Sequence, residues 1–271
     1  MESAMSHGEY ETIRVDATDG VATITIDRPN ARNSMTPQMA REMLDAVQRI
    51  AIDPSLHVVV LTGAGNDAFC PGTDTKAFAS GGPDPGLLSE LLQDNSFFRI
   101  PVILNRMPQV TIAAINGAAA GAGLSWACAC DFRWASRTAK FSTAFLDRAV
   151  SADMCLHWTL PRIVGSAIAR QLMFFPAKFD ADRAREYGLV DDVFGADEFR
   201  EQVAERVEHL RRAAPLAVRT TKRNLTDAQQ MDLQSFSDLE SYRHLALLGT
   251  EDAREGFAAY VERREPRFVG R

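Results

Sequence analysis

Apolar runs and turn residues divide the first two-thirds of the chain into short strand and helix signals. Residues 12–17 and 21–27 are rich in β-formers and are separated by Asp19-Gly20, a dipeptide that favours a tight hairpin turn. Arg28-Pro29-Asn30 stops the second strand. Thr36-Pro37 predicts a helix start, because threonine can cap free N–H groups and proline suits the first helical position. Met39, Met43, Val47 and Ile50 recur on one face of that helix, which Asp53-Pro54 ends. The run HVVVL at 57–61 then reads as a buried strand, so the order strand–helix–strand predicts a parallel crossover.

Beyond it, residues 62–72 form a loop, 75–79 a short helical piece, and 81–85 (GGPDP) a stretch too rich in breakers for regular structure. A helix is predicted over 87–100, kinked or ended by Pro101. Residues 110–115 (VTIAAI) read as a second buried strand and Asn116-Gly117 as a turn. An almost wholly apolar helix follows at 122–130, with further strands at 131–136 and 139–141. From Met154 onward the pattern is mainly helical, interrupted near 188–193 by one last strand. Four charged helical segments close the chain, at 200–212, 217–226, 233–248 and 251–264. The units after HVVVL and VTIAAI look alike, which points to repeated ββα turns. The expected division is a core of residues 1–200 and a helical C-terminal region of residues 201–271, which covers the core or reaches onto a neighbouring subunit.

Charge and composition then narrow the function. Thirty Lys+Arg against 36 Asp+Glu leave a net charge of −6, which argues against a nucleic-acid partner. No apolar run approaches the ~20 residues of a membrane span, so no membrane partner is expected. The polar, acidic start shows no export signal, and the four cysteines show no disulfide framework; a reducing cytoplasm is the expected compartment. Cys128 and Cys130 lack a second Cys or His pair at ligand spacing, so they read as buried thiols, with no metal site.

Two loops follow strand ends and lead into helices: residues 69–76 (FCPGTDTK) and 116–123 (NGAAAGAG). Such units expose backbone N–H groups, and the helix dipole favours negative charge there. Neither carries the Gly-Lys-Ser/Thr of a Walker loop, and no acidic residue follows the second at the spacing of a dinucleotide fingerprint. Further segments are Leu61-Thr62-Gly63-Ala64-Gly65, Cys130-Asp131, Leu160-Pro161-Arg162-Ile163-Val164-Gly165, Gly188-Leu189-Val190 and Arg264-Glu265-Pro266-Arg267-Phe268. Together with the two loops, and in the expected order over residues 10–269, they resemble the enoyl-CoA hydratase/isomerase (crotonase) family. The resemblance implies an α/β fold, a crotonase-like spiral of ββα units with a helical C-terminal region. It also implies homotrimers or hexamers built through residues 201–271, and an acyl-CoA thioester substrate. No separate cofactor is implied, since coenzyme A enters as part of the substrate.

By motif, the backbone N–H groups of Thr73 and Ala122 fall where the family polarises the thioester oxygen. Fixed donors in a dry site stabilise an enolate oxygen by roughly 3–4 kcal/mol for one donor in comparable acyl chemistry. Any residue except proline supplies the N–H, so Thr73 is compatible with the role. Ala122 stands where the family usually has glycine, and its methyl narrows the approach to the thioester. The resemblance also lays the adenine and phosphates of coenzyme A along the Asn30-Ala31-Arg32 turn and along Pro71, Asp74, Thr75 and Lys76. There Arg32 and Lys76 offer positive charge to phosphate.

The acid–base groups depart from the hydratase pattern. Hydratases of the family carry two glutamates where this chain has Ser125 and Phe145, and neither residue can deprotonate water or protonate carbon. Asp147, two residues along a helical turn from Phe145, faces elsewhere. The stretch from Ala144 to Asp153 resembles instead the family's single-aspartate isomerases and its 4-chlorobenzoyl-CoA dehalogenase, with Asp153 at the catalytic position. The dehalogenase pattern has tryptophan where this chain has Phe145. Double-bond isomerisation is therefore the favoured expectation. The alternatives are a hydratase-like lyase, a dehalogenase-like hydrolase and a non-catalytic acyl-CoA binder. Read without the family, Asp153 would cap a helix beginning at Met154. His157, Trp158, Phe145, Trp126 and Phe78 are candidates for lining an acyl pocket.

Overall fold

The computed structural model describes residues 10–74 and 95–271. The helical piece expected at 75–79, the loop at 81–85 and most of the helix expected at 87–100 lie outside the described residues.

The hairpin forms as its turn dipeptide predicts. β1 (Ile13–Thr18) and β2 (Val21–Ile26) pair antiparallel, with Thr18 opposite Val21. In α1 (Pro37–Ile52), the Met39 N–H donates to Thr36 Oγ1 at 3.2 Å, and Met39, Met43, Val47 and Ile50 are buried. β3 (Val58–Gly63) then pairs parallel with β2, giving the expected crossover. One expectation is corrected at α2 (Ile100–Arg106). A 3-10 turn over Asn95–Arg99 leads into it, and Pro101 sits in its first turn, where its missing N–H costs nothing. The proline starts this helix, and among the described residues it does not end one.

The spiral is visible in the strand order. β3 is followed by β4 (Ala68–Cys70), β5 (Val110–Ile115) by β6 (Ala118–Ala120), and β7 (Phe132–Ser136) by β8 (Lys140–Ser142). The first member of each pair joins a six-stranded sheet of order β1-β2-β3-β5-β7-β10. The second joins a four-stranded sheet of order β4-β6-β8-β9. Helices α3 (Ala122–Ala129) and α4 (Leu156–Phe174) complete two of the turns. β9 (Phe179–Asp180), only two residues long and antiparallel to β8, carries no pattern a sequence reading could detect. Then come α5 (Ala181–Glu186) and β10 (Asp192–Phe194), the last strand of the large sheet.

One apolar core fills the space between the large sheet and α1–α4, with Trp126, Phe69 and Phe141 among its largest buried side chains. A second, smaller one lies on the other face of the sheet. There Val58, Val60, Ile112 and Trp134 pack against Phe199, Val203 and Val207 of α6 (Phe199–Arg212). Three more helices follow: α7 (Pro215–Ala228), α8 (Leu233–Leu248) and α9 (Glu251–Glu262). α8 buries none of its residues against its own chain. Among the described residues, no helix is long and apolar enough to cross a membrane.

α7 is tied to the sheet by a buried charge. Lys222 Nζ lies 2.7 Å from Asp131 Oδ2 and donates to the carbonyls of Gln109 at 2.8 Å and Leu104 at 3.2 Å. The same Asp131 oxygen accepts the Thr111 N–H at 2.7 Å and its hydroxyl at 2.9 Å, so the pair is satisfied on both sides. Burial pulls the Lys222 ammonium below the ordinary lysine range, and the Asp131 charge opposes that shift. Removing one partner of such a pair leaves the other desolvated and alone. Lys222→Met is expected to lower the unfolding free energy by about 3 kcal/mol or more, measured by denaturant titration.

Candidate active site

The small sheet brings three segments to one edge. β4, β6 and β8 run parallel, with Ala68 opposite Ala118 and Ala119 opposite Phe141. Their C-terminal ends therefore open on the same side, carrying residues 71–74, the start of α3, and the stretch from Thr143 toward Asp153. Parallel strands deliver their following loops together, and this is why residues distant in sequence meet here.

The first two segments touch through backbone alone. Gly72 has φ +98°, and a Cβ built there would lie 3.2 Å from the Ala120 carbonyl and 3.6 Å from the Ala122 nitrogen. Residue 35 fixes the same loop from the other side. The Met35 N–H donates to the Gly72 carbonyl at 2.8 Å, and the Asp74 N–H donates to the Met35 carbonyl at 2.9 Å. In such a parallel bridge the intervening N–H, that of Thr73, points away from the partner. It has no acceptor among the described residues. Ala122 is the first residue of α3, so its N–H also lacks an intrahelical acceptor. Two free donors thus border one edge, Thr73 exposed and Ala122 buried.

The turn expected to meet coenzyme A is stitched to the same loop. Pro29–Ala31 is a short 3-10 helix that ends at Arg32 in the left-handed conformation, φ 52°. Arg28 reaches Asp74 Oδ2 at 3.6 Å, and the Ser34 hydroxyl reaches that oxygen at 3.3 Å. The residues that flank Asn30, Ala31 and Arg32 thus tie this turn to the loop that carries Pro71 and Asp74, while Thr75, Lys76 and Phe78 fall outside the described residues. Sequence reasoning passed over two buried amides that hold this corner. Asn33 Nδ2 donates to the Ala68 carbonyl at 2.7 Å and to Ala64 at 3.0 Å. Asn116 Oδ1 accepts the Gly63 N–H at 3.0 Å, and its Nδ2 donates to Gly65 at 3.0 Å. The signal for both was present: each is an asparagine beside a tight turn, able to satisfy backbone groups that the turn leaves open.

Asp153 lies where the third segment meets α3. The helix-cap reading of this residue is corrected: α4 begins at Leu156, its cap position is Cys155, and no side chain caps it. Met154 and Cys155 both adopt left-handed backbone, φ 47° and 63°, which turns the chain between Asp153 and the helix. The carboxyl is half-buried, and among the described residues its Oδ1 has no hydrogen-bond partner. Burial raises its pKa above the ordinary aspartate value, while its own N–H and the nearby His157 pull the other way. The Ser125 hydroxyl, fully buried, lies 3.3 Å from the Asp153 carbonyl and 3.2 Å from that of Gly121. Phe145 packs partly against the core, whereas Asp147 is exposed on a 3-10 turn. His157 and Trp158 lie exposed on the first turn of α4, the latter covered by the Arg162 guanidinium at 3.9 Å. Trp126 is fully buried in the core.

Three of the four cysteines are buried and chemically quiet. Burial pushes the thiols of Cys70, Cys128 and Cys130 up to about 12. Among the described residues, no group of three or more His, Cys, Asp or Glu could hold a metal ion.

Known proteins match this chain over nearly its whole length. A family model described as enoyl-CoA hydratase/isomerase matches residues 16–271. An (E)-benzylidenesuccinyl-CoA hydratase of Thauera aromatica is 36% identical over 262 residues, which are 95% of this chain and 99% of the relative. The 1,2-epoxyphenylacetyl-CoA isomerase of Escherichia coli K12 is 30% identical and covers 100% of both chains. A crystal structure of an enoyl-CoA hydratase from Bacillus anthracis matches with a TM-score of 0.89 at 32% identity, covering 96% of this chain and 100% of that one.

The raised pKa of Asp153 has a consequence for stability. A carboxyl that binds its proton more tightly in the folded chain contributes stability that is fully present below the unfolded value of about 3.9. That contribution is lost as pH rises through the folded value. Asp153→Asn removes the titration and leaves every other group in place. The melting temperature of the variant relative to the parent should therefore climb as pH goes from about 4 to about 7. A difference independent of pH would contradict the burial of this carboxyl.

Proposed function

Since the chain belongs to the enoyl-CoA hydratase/isomerase family and is an acyl-CoA enzyme of it, we propose that it shifts a double bond in an enoyl-CoA, with Asp153 carrying the proton. The observation that carries this reading is the environment of Asp153. It is a half-buried carboxyl with an unpartnered oxygen, at the edge bordered by the free N–H groups of Thr73 and Ala122. Ser125 and Phe145 offer no second carboxylate at the positions where the family's hydratases handle water.

The chemistry follows from these groups. The Asp153 carboxylate removes a proton from a carbon of the acyl chain, and the electron pair moves into the conjugated system and onto the thioester oxygen. Hydrogen bonds from Thr73 and Ala122 stabilise that enolate oxygen with donors fixed by backbone, so no reorganisation is needed as charge develops. The protonated Asp153 then returns the proton to a carbon further along the chain. Partial burial favours this cycle, because a carboxylate whose pKa is raised is a stronger base toward carbon. Coenzyme A would lie along Asn30, Ala31, Arg32, Pro71 and Asp74, and no further cofactor is required.

One observation favours a second reading. The Thauera relative is named a hydratase of an aryl-bearing enoyl-CoA, so hydration of a substrate of that type by the same single carboxylate is the alternative. Assembly completes the proposal. The helices α7–α9 expose Leu225, Leu233, Tyr242, Leu245 and Phe257, an apolar surface unusual for a monomer. A homotrimer or hexamer would cover it.

Three outcomes are expected. Asp153→Asn should lower the rate of double-bond shift, and of α-proton exchange into deuterated solvent, by about 10²-fold or more. A wild-type rate in the purified variant would remove the assignment. The parent should shift the double bond of 3-enoyl-CoA thioesters faster than it hydrates crotonyl-CoA or (E)-benzylidenesuccinyl-CoA; the reverse order would establish the hydratase reading. Sedimentation at micromolar concentration should give three or six chain masses, and a lone monomer would contradict the assembly.

A further inference from the structure

We infer that Ser125 is a positioning residue whose hydroxyl holds the Asp153 peptide in register with the helix that opens at Ala122. The inference rests on the function proposed above and adds the group that sets the aim of its carboxylate.

Three observations lead to it. First, Ser125 is fully buried, and its hydroxyl lies within hydrogen-bond reach of two carbonyls from different segments: Gly121, at the cap of α3, at 3.2 Å, and Asp153 at 3.3 Å. A residue needed only for helix packing could be alanine, since a buried hydroxyl without a partner costs free energy. Second, the Asp153 carbonyl also accepts the Leu156 N–H at 3.0 Å, so this peptide is held from both sides. Third, the two residues that follow, Met154 and Cys155, are non-glycine residues in left-handed backbone. Such conformations cost roughly 1–3 kcal/mol each and persist only where neighbouring structure over-determines them.

The carboxyl is restrained only locally, by its own N–H, and among the described residues its Oδ1 has no hydrogen-bond partner. Its direction is set by the backbone from which it hangs. The single hydroxyl proton, shared between the Asp153 carbonyl and the Gly121 carbonyl, ties the Asp153 peptide to α3 and so fixes the base relative to the Ala122 N–H. Both ends of the proposed enolate chemistry are referenced to one helix.

The test uses Ser125→Ala, which deletes the hydroxyl, and Ser125→Cys, which fills the site with a slightly larger atom that is a poor donor. Both are expected to lower kcat for the double-bond shift about tenfold with KM for the thioester within about twofold, because misplacing a reacting group costs rate and not binding. In the Asp153→Asn background, Ser125→Ala should have no further effect, since Ser125 acts through Asp153. Wild-type kcat in Ser125→Ala, wild-type kcat in Ser125→Cys, or additive losses in the double variant would each overturn the inference. If Asp153→Asn alone keeps the parent rate, the proposed function fails; if it is inactive while Ser125→Ala is not, only the role of Ser125 fails.

Discussion

The site depends on a contact between two stretches of backbone. The first turn of α3 lies so close to the end of β4 that a Cβ on Gly123 would come within 2.0 Å of the Cys70 carbonyl oxygen. No side-chain adjustment relieves such an overlap, because the oxygen that the Cβ would meet belongs to the main chain. The spacing between the 71–74 loop and the start of α3 is thus set by van der Waals contact between peptide groups, which have no rotamers to explore. The helix behind this contact is anchored just as firmly, since each of its eight residues is buried. Donors mounted on such a frame are oriented before any ligand arrives, which is the condition under which hydrogen bonds to a developing anion are most effective.

Two half-buried or buried carboxylates show how the same residue type is put to opposite uses. Asp131 is surrounded by donors: the Lys222 ammonium and the N–H and hydroxyl of Thr111 all converge on one of its oxygens. Its charge is neutralised and its position locked, and it joins α7 to the sheet. Asp153 is left with an unpartnered oxygen, its own N–H and the diffuse influence of His157. A structural carboxylate is saturated. The proton carrier proposed for Asp153 would have to keep capacity in reserve, and burial raises its pKa in that direction.

What could be read from the sequence follows the range of the forces involved. The hairpin, α1 and α3 are specified by neighbours: a turn dipeptide, a Thr-Pro start, an unbroken apolar stretch. β4 and β6 are three residues each and exist because of partners elsewhere in the chain, so periodicity could not find them. Pro101 was misjudged because a proline ends one helix or begins another according to what precedes it. The cap assigned to Asp153 failed because Met154 and Cys155 turn left-handed without a glycine to announce it. The candidate site residues were legible only through motifs, as the order of loops along the chain. That Met35 turns the Thr73 N–H outward is a property of strand pairing, invisible in the one-dimensional pattern.

The parallel pairing of β4, β6 and β8 also has a kinetic meaning. A hairpin such as β1–β2 closes over two residues, but Ala68 must find Ala118, and Ala119 must find Phe141, across intervening strands and helices. Contacts of such separation form slowly, because the loop entropy is lost before the pairing compensates it. The edge that carries Thr73, Ala122 and Asp153 comes into being only when three successive turns of the spiral have closed on one another. In a chain emerging from the ribosome, two turns therefore bring together only Thr73 and Ala122, and Asp153 joins them once the third has wound into place.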